Sequence, residues 1–184
     1  INNNPNNPVI NIRSFGETPD VVSQLAKAFI KGAKNHPILT TAKHFPGHGN
    51  TSNDSHIELP VINHDSKRLN NLELVPFKEA ISLKIDSIMS AHILINAWDR
   101  ENPATLSKKI LTKQLREKLN FKGLIITDAL MMGGISKYFS PKEIAIRAIK
   151  AGANVLLMPD DPENTIKAIY DSVISGELEI ETID

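Results

Sequence analysis

The sequence predicts an α/β fold on a parallel sheet, read here as a (β/α)8 TIM-type barrel present only in part, with about five βα units. Three observations predict it. Short apolar runs of strand length alternate with longer stretches of helical periodicity along the whole chain. One run, Leu124-Ile125-Ile126, is apolar at consecutive positions, the pattern of a strand covered on both faces. Several runs also end on polar residues, namely Arg13, Lys43-His44, His92 and Asp128. In a barrel those ends share the C-terminal rim, where the chemistry sits. An open doubly wound sheet would show the same alternation. No G-x-G-x-x-G or G-x-x-x-x-G-K-[ST] follows any strand, however, which removes the usual nucleotide-binding readings. The barrel is favoured.

Taken in order, Asn2 to Pro8 is turn-forming, and Val9 to Ile12 is a strand candidate that delivers Arg13. Thr18 fits an N-cap and Pro19 the first position of a helix that keeps Val22, Leu25, Ala26, Phe29 and Ile30 at helical spacing. Gly32 and Pro37 bracket its end, and Ile38 to Ala42 reads as the next strand. Leu72 to Leu83 is helical in spacing, with Pro76 near its start. Ile85 to His92 is a strand, and Ser107 caps a helix through Leu119 with Ile110, Leu111, Leu115 and Leu119 on one face. Asn120 to Gly123 turns into the strand Leu124 to Thr127, which delivers Asp128. Ser140-Pro141-Lys142-Glu143 opens a helix to Lys150, Val155 to Met158 is the fifth strand, and Pro162 opens a last helix through about Ile174.

Bulk composition narrows the function. Lysine plus arginine equals aspartate plus glutamate at 21 each, so no net field recruits nucleic acid or an anionic membrane surface. Cysteine is absent, which excludes disulfides and thiolate zinc sites. No apolar run approaches the roughly 20 residues of a membrane span. The first eight residues have neither the basic start nor the apolar middle of a signal peptide. Nothing here assigns a compartment or an oligomeric state.

The chemistry concentrates in Ala42 to His56, where three of the six histidines, two glycines, a proline and Asp54 fall within fifteen residues. Asp54 and His56 are two apart on a loop. A carboxylate that holds an imidazole fixes its tautomer, so His56 can give and take a proton. The plainer alternative is that Asp54 closes an Asx-turn and His56 is merely exposed. Asp128, after an apolar strand, is either a helix N-cap or a nucleophile at a barrel rim. Arg13, Lys43 and His44 are candidate hydrogen-bond donors to a polyhydroxyl or carboxylate ligand, though each alone reads as an ordinary surface charge. His44, His48, Asp54 and His56 also invite a zinc reading. The pair at i, i+4 makes a zinc clamp only on a helix, which Pro46, Gly47 and Gly49 forbid, so no metal is expected.

The run Lys43-His44-Phe45-Pro46-Gly47-His48-Gly49, with Thr51, Asp54-Ser55-His56 and Leu59-Pro60, closely resembles the signature of the β-N-acetylglucosaminidase branch of glycoside hydrolase family 3. Asn7 to Ile10 with Arg13 to Glu17, Met89 to Ile93, Pro103 to Ser107, Gly123 to Met132 and Ala151 to Pro159 agree in the same order. The resemblance implies retaining exo-hydrolysis of terminal β-linked N-acetylglucosamine, on peptidoglycan-fragment or chitobiose-like substrates. Asp128 matches the nucleophile that forms a covalent glycosyl-enzyme, and His56 the general acid/base oriented by Asp54. Arg13, Lys43 and His44 match sugar-binding positions. A carbohydrate is then the partner, and no cofactor is needed. Asn50 stands where the family commonly has Asp. The resemblance also implies that residues 1–184 are part of a catalytic barrel whose first strands lie upstream, a piece expected to be inactive alone. Two alternatives stay open: the same site working as a phosphorylase, or a truncated barrel that only binds sugar.

Overall fold

A computed structural model describes residues 1–183. Its helices and strands follow one another as α1 (Pro19–Ala33), β1 (Thr41–Phe45), β2 (Val61–Ile62), α2 (Ser66–Asn71), α3 (Val75–Ser82), β3 (Ser87–Ser90) and β4 (Leu94–Ile95). A wide helix over Lys109–Lys118, β5 (Leu124–Ile126), α4 (Gly133–Ser136), α5 (Pro141–Ala151) and α6 (Pro162–Ile174) complete the order.

The main sheet has the order β1-β3-β5 with every pair parallel, and Ala42, Ile88 and Ile125 stand side by side in register. Val155 adds one parallel bridge beyond β5, at Ile126, and β2 pairs with β4 in a separate parallel ribbon. The fold is therefore α/β with parallel sheets, and no closed barrel forms among the described residues. Parallel strands put their C-terminal ends on one edge. That edge gathers His44, His92 and Asp128.

The core lies on one face of this sheet. Ile88 and Ile125 pack against Phe77 and Ala80 of α3, Ile110, Leu111 and Leu115 of the wide helix, and Ile144 and Ala148 of α5. Fully burying such a leucine or isoleucine contributes about 1.5–3 kcal/mol. The opposite face is open: Thr41 is exposed and Leu124 is 43% exposed, so the two-sided coverage expected for Leu124 to Ile126 is not met.

Other expectations are also corrected. Val9 to Ile12 is not a strand, because Asn7 Oδ1 accepts the Val9 and Ile10 N–H groups at 2.9 and 2.7 Å and turns the backbone into a 3-10 turn at Asn11–Arg13. The strand expected at Ile38 begins at Thr41, where Asp86 Oδ2 accepts the Thr40 N–H just ahead of it. The helix expected over Leu72 to Leu83 is α3 and starts at Val75, and a separate short helix not expected from the sequence, α2, precedes it, capped by Asp65, which accepts the Arg68 N–H. Past the single Val155 bridge, Leu157 and Met158 pair irregularly with Leu130 and Met131, so no regular fifth strand of the sheet forms, and Met158 turns left-handed at φ 45° before Pro159. Among the described residues, no helix is long and apolar enough to cross a membrane.

Candidate active site

β1 carries Lys43 and His44 just before its last residue, Phe45. His44 is buried (6% exposed) with Nε2 3.6 Å from Asp128 Oδ2. Burial pushes its pKa down to about 3 against the upward pull of Asp128, so the ring is neutral near pH 7. Its Nδ1 has no hydrogen-bond partner. Lys43 and Arg13 are exposed and, with His44, His48 and Glu73, border a cavity of about 330 Å³. Asp54, His56 and Asp128 do not line that cavity. Arg13 reaches it from the 3-10 turn, with Nη1 donating to the Val9 carbonyl at 3.2 Å.

The loop after β1 holds Asp54 and His56 as a pair. Asp54 Oδ1 accepts the His56 backbone N–H at 2.9 Å and meets His56 Nδ1 at 2.7 Å. The Asx-turn and the oriented imidazole, set against each other in the sequence, thus share one oxygen. The His56 backbone N–H holds the Asp54 carboxyl below its ordinary range. With Nδ1 carrying the proton shared with Asp54, Nε2 is left to work, and the side chain is 56% exposed. Asn50, the departure from the family pattern, uses both ends of its amide: Oδ1 meets His64 Nε2 at 2.6 Å and Nδ2 donates to Asn3 Oδ1 at 2.8 Å.

Asp128 follows β5. Its Oδ1 accepts the Ala129 N–H at 2.9 Å, while Oδ2 faces His44. His92, fully buried, bridges Thr105 Oγ1 at 2.9 Å and the Ala129 carbonyl at 3.0 Å, which steadies the peptide next to Asp128. Shortly beyond, the chain meets the histidine loop main chain to main chain. Gly133 N–H donates to the His56 carbonyl at 3.0 Å and Gly134 N–H to the Ser55 carbonyl at 3.1 Å. A Cβ on Gly133 would stand 2.8 Å from the His56 oxygen, and one on Gly134 2.4 Å from the Ser55 oxygen. Only glycine allows this approach.

Geometry therefore joins Asp54 to His56 and His44 to Asp128, and ties the two pairs' segments together through Gly133 and Gly134. Arg13 and Lys43 meet His44 at the neighbouring cavity. Spacing does not single out Ser55 or the two glycines, and it marks His92 only as a polar strand end. A Gly-Gly pair beginning five residues after the polar strand end Asp128 is the signal the sequence offers. Among the described residues no three His, Asp or Glu side chains are grouped to hold a metal ion.

The family described as glycosyl hydrolase family 3 N terminal domain matches residues 1–184. A beta-hexosaminidase A of Pseudoalteromonas piscicida is 43% identical over 171 residues, covering 86% of this chain and 29% of that protein. A solved glycoside hydrolase family 3 beta-N-acetylglucosaminidase from Paenibacillus sp. str. FPU-7 matches 100% of this chain and 36% of its own, with TM-score 0.97 and 41% identity. The beta-glucoside phosphorylase BglX matches 100% of this chain and 35% of its own, with TM-score 0.95 and 31% identity. The chain spans roughly a third of the length of each.

Proposed function

The chain belongs to glycoside hydrolase family 3, and on that premise we propose that it carries the acid/base and the nucleophile of a retaining exo-β-N-acetylglucosaminidase. Asp128 attacks the anomeric carbon as the glycosidic bond breaks, forming a glycosyl-aspartate. His56 Nε2–H gives its proton to the departing oxygen, and the now neutral imidazole later takes a proton from the water that hydrolyses the ester. Asp54 holds Nδ1–H through both steps, so the ring needs no reorientation. Arg13, Lys43 and His44 bind the sugar. Terminal β-linked N-acetylglucosamine of peptidoglycan fragments or chitobiose-like chains is the substrate. We read the open parallel sheet as part of a (β/α)8 barrel, residues 1–184 being one portion of that catalytic domain.

One observation carries the reading. The Asp54–His56 pair sits on a loop whose carbonyls are hydrogen-bonded to Gly133 and Gly134, within six residues of Asp128. The substrate class is supported by the relatives named beta-hexosaminidase and beta-N-acetylglucosaminidase.

The test uses the whole protein on aryl and alkyl β-N-acetylglucosaminides. Asp128→Ala should lose turnover by on the order of 10³-fold or more. His56→Ala should lose about 10²- to 10⁴-fold in kcat/KM on the alkyl glycoside and much less on a nitrophenyl one, whose leaving group needs no proton. Full activity in Asp128→Ala would refute the assignment.

Similarity to a phosphorylase favours a second reading with the same residues. A histidine acid/base is neutral after it has given up its proton, so an incoming phosphate meets no carboxylate charge there. Sugar 1-phosphate formed faster than free sugar, in the presence of phosphate, would replace hydrolysis with phosphorolysis.

A further inference from the structure

Beneath the Asp54–His56 pair lies a histidine that the proposed chemistry does not use. His48 is 3% exposed, and both of its ring nitrogens are engaged. Nδ1 meets Thr51 Oγ1 at 2.8 Å and Nε2 meets Ser55 Oγ at 2.7 Å. The Thr51 hydroxyl donates to the His48 carbonyl at 3.1 Å, so it accepts from Nδ1–H, and Nε2 is left to accept the Ser55 O–H. A neutral ring satisfies every partner, and burial lowers the His48 pKa in the same direction. Asn7 Nδ2 donates to the His48 carbonyl at 2.8 Å and anchors the whole turn to the chain's first residues.

Ser55 is the residue between Asp54 and His56. It is 1% exposed, and its carbonyl is one of the two that Gly133 and Gly134 hold. Residues 46 to 60 contain no helix or strand, and both Asp54 and His56 project partly into solvent. The turn is therefore ordered by few contacts, and the Ser55 hydroxyl is its only buried side-chain attachment between Asn53 and Glu58 among the described residues.

We propose that His48 is a positioning residue for the acid/base: by holding the Ser55 hydroxyl it seats the Asp54-Ser55-His56 turn on Gly133 and Gly134, at the distance from Asp128 that proton donation requires. The inference rests on His56 being the acid/base. Misplacement by about 1 Å costs a reaction on the order of 10²-fold. The cost should fall on the step that His56 serves.

The test compares kcat/KM on an alkyl and a nitrophenyl β-N-acetylglucosaminide in the whole protein. Ser55→Ala removes one hydroxyl, His48→Leu removes the ring's hydrogen bonds, and Ser55→Thr keeps the hydroxyl. The first two should slow the alkyl substrate by about 10-fold or more and the nitrophenyl substrate by less than about 3-fold, and Ser55→Thr should restore the alkyl rate. Equal slowing on both substrates, or none on either, overturns the proposal, since a purely structural role would not sort leaving groups. If His48→Leu does not fold, Ser55→Ala against Ser55→Thr decides. His56→Ala measured alongside separates the two failures. With no leaving-group dependence in His56→Ala, the acid/base assignment falls. With that dependence present but absent from Ser55→Ala, only the positioning role falls.

Discussion

His44 shows how burial sets a charge state at the centre of the site. An imidazole 3.6 Å from a carboxylate would be protonated in water, yet desolvation wins and holds it neutral. Burial lowers His48 and His92 too. In the unfolded chain all three take protons near pH 6.5, and in the folded chain they resist. Below that pH the unfolded state binds more protons, so stability rises with pH between the lowered values and about 6.5. The urea midpoint should therefore be clearly lower at pH 5 than at pH 7.5. Asp54, Asp86 and Asp99 are also lowered from their ordinary value of 3.8, so their loss comes at more acid pH and leaves the pH 6.5 to 5 interval to the histidines. An unchanged midpoint at pH 5 would contradict the neutral His44. At this scale the Asp54–His56 pairing is legible, because one short motif carries both residues. His92 was not, since its contact with Ala129 spans 37 residues of chain. Nor could spacing tell an Asx-turn from an oriented imidazole when one oxygen performs both.

Elements whose start signals are local came out as read. α5 opens after Ser140, whose Oγ accepts the Glu143 N–H at 3.3 Å, and α6 after Asp161, which accepts the Asn164 N–H at 3.0 Å. Ser107 likewise accepts the Ile110 N–H ahead of the wide helix. Thr18 precedes α1 but makes no side-chain cap. Ser140→Ala should cost about 0.5–2 kcal/mol in urea denaturation, and Asp161→Ala should lower the urea midpoint as well, since Asp161 also binds the Asn164 amide. Thr18→Ala should cost almost nothing by the same measurement. The elements misread were those decided from a distance. Asn7 diverts Val9 to Ile12, and Thr127 Oγ1 accepts the Leu157 N–H, drawing Val155 to Met158 to the loop after β5. Composition alone marks both as strands.

Across the whole molecule, alternation predicted a parallel sheet and the sheet is parallel, but closure depends on strand number and tilt, which no periodicity carries. The described residues leave Leu124 and Thr41 exposed on the sheet, and Ile12, Phe29, Ile38 and Leu39 exposed beside it at 94%, 59%, 56% and 75%. Apolar surface on this scale next to a sheet edge invites association. In sedimentation velocity, the isolated 184-residue chain should shift to larger species as its concentration rises. A concentration-independent monomer would mean that this surface is tolerated in water.

The junction between the histidine loop and Gly133-Gly134 is made of carbonyls on one side and amides on the other, and this makes its tolerance lopsided. Side-chain identity is forbidden at the two glycines, yet the carbonyls of residues 55 and 56 look the same whatever hangs from their Cα atoms. A lineage could therefore trade the imidazole for another proton donor, a glutamate for example, without unpicking that seam.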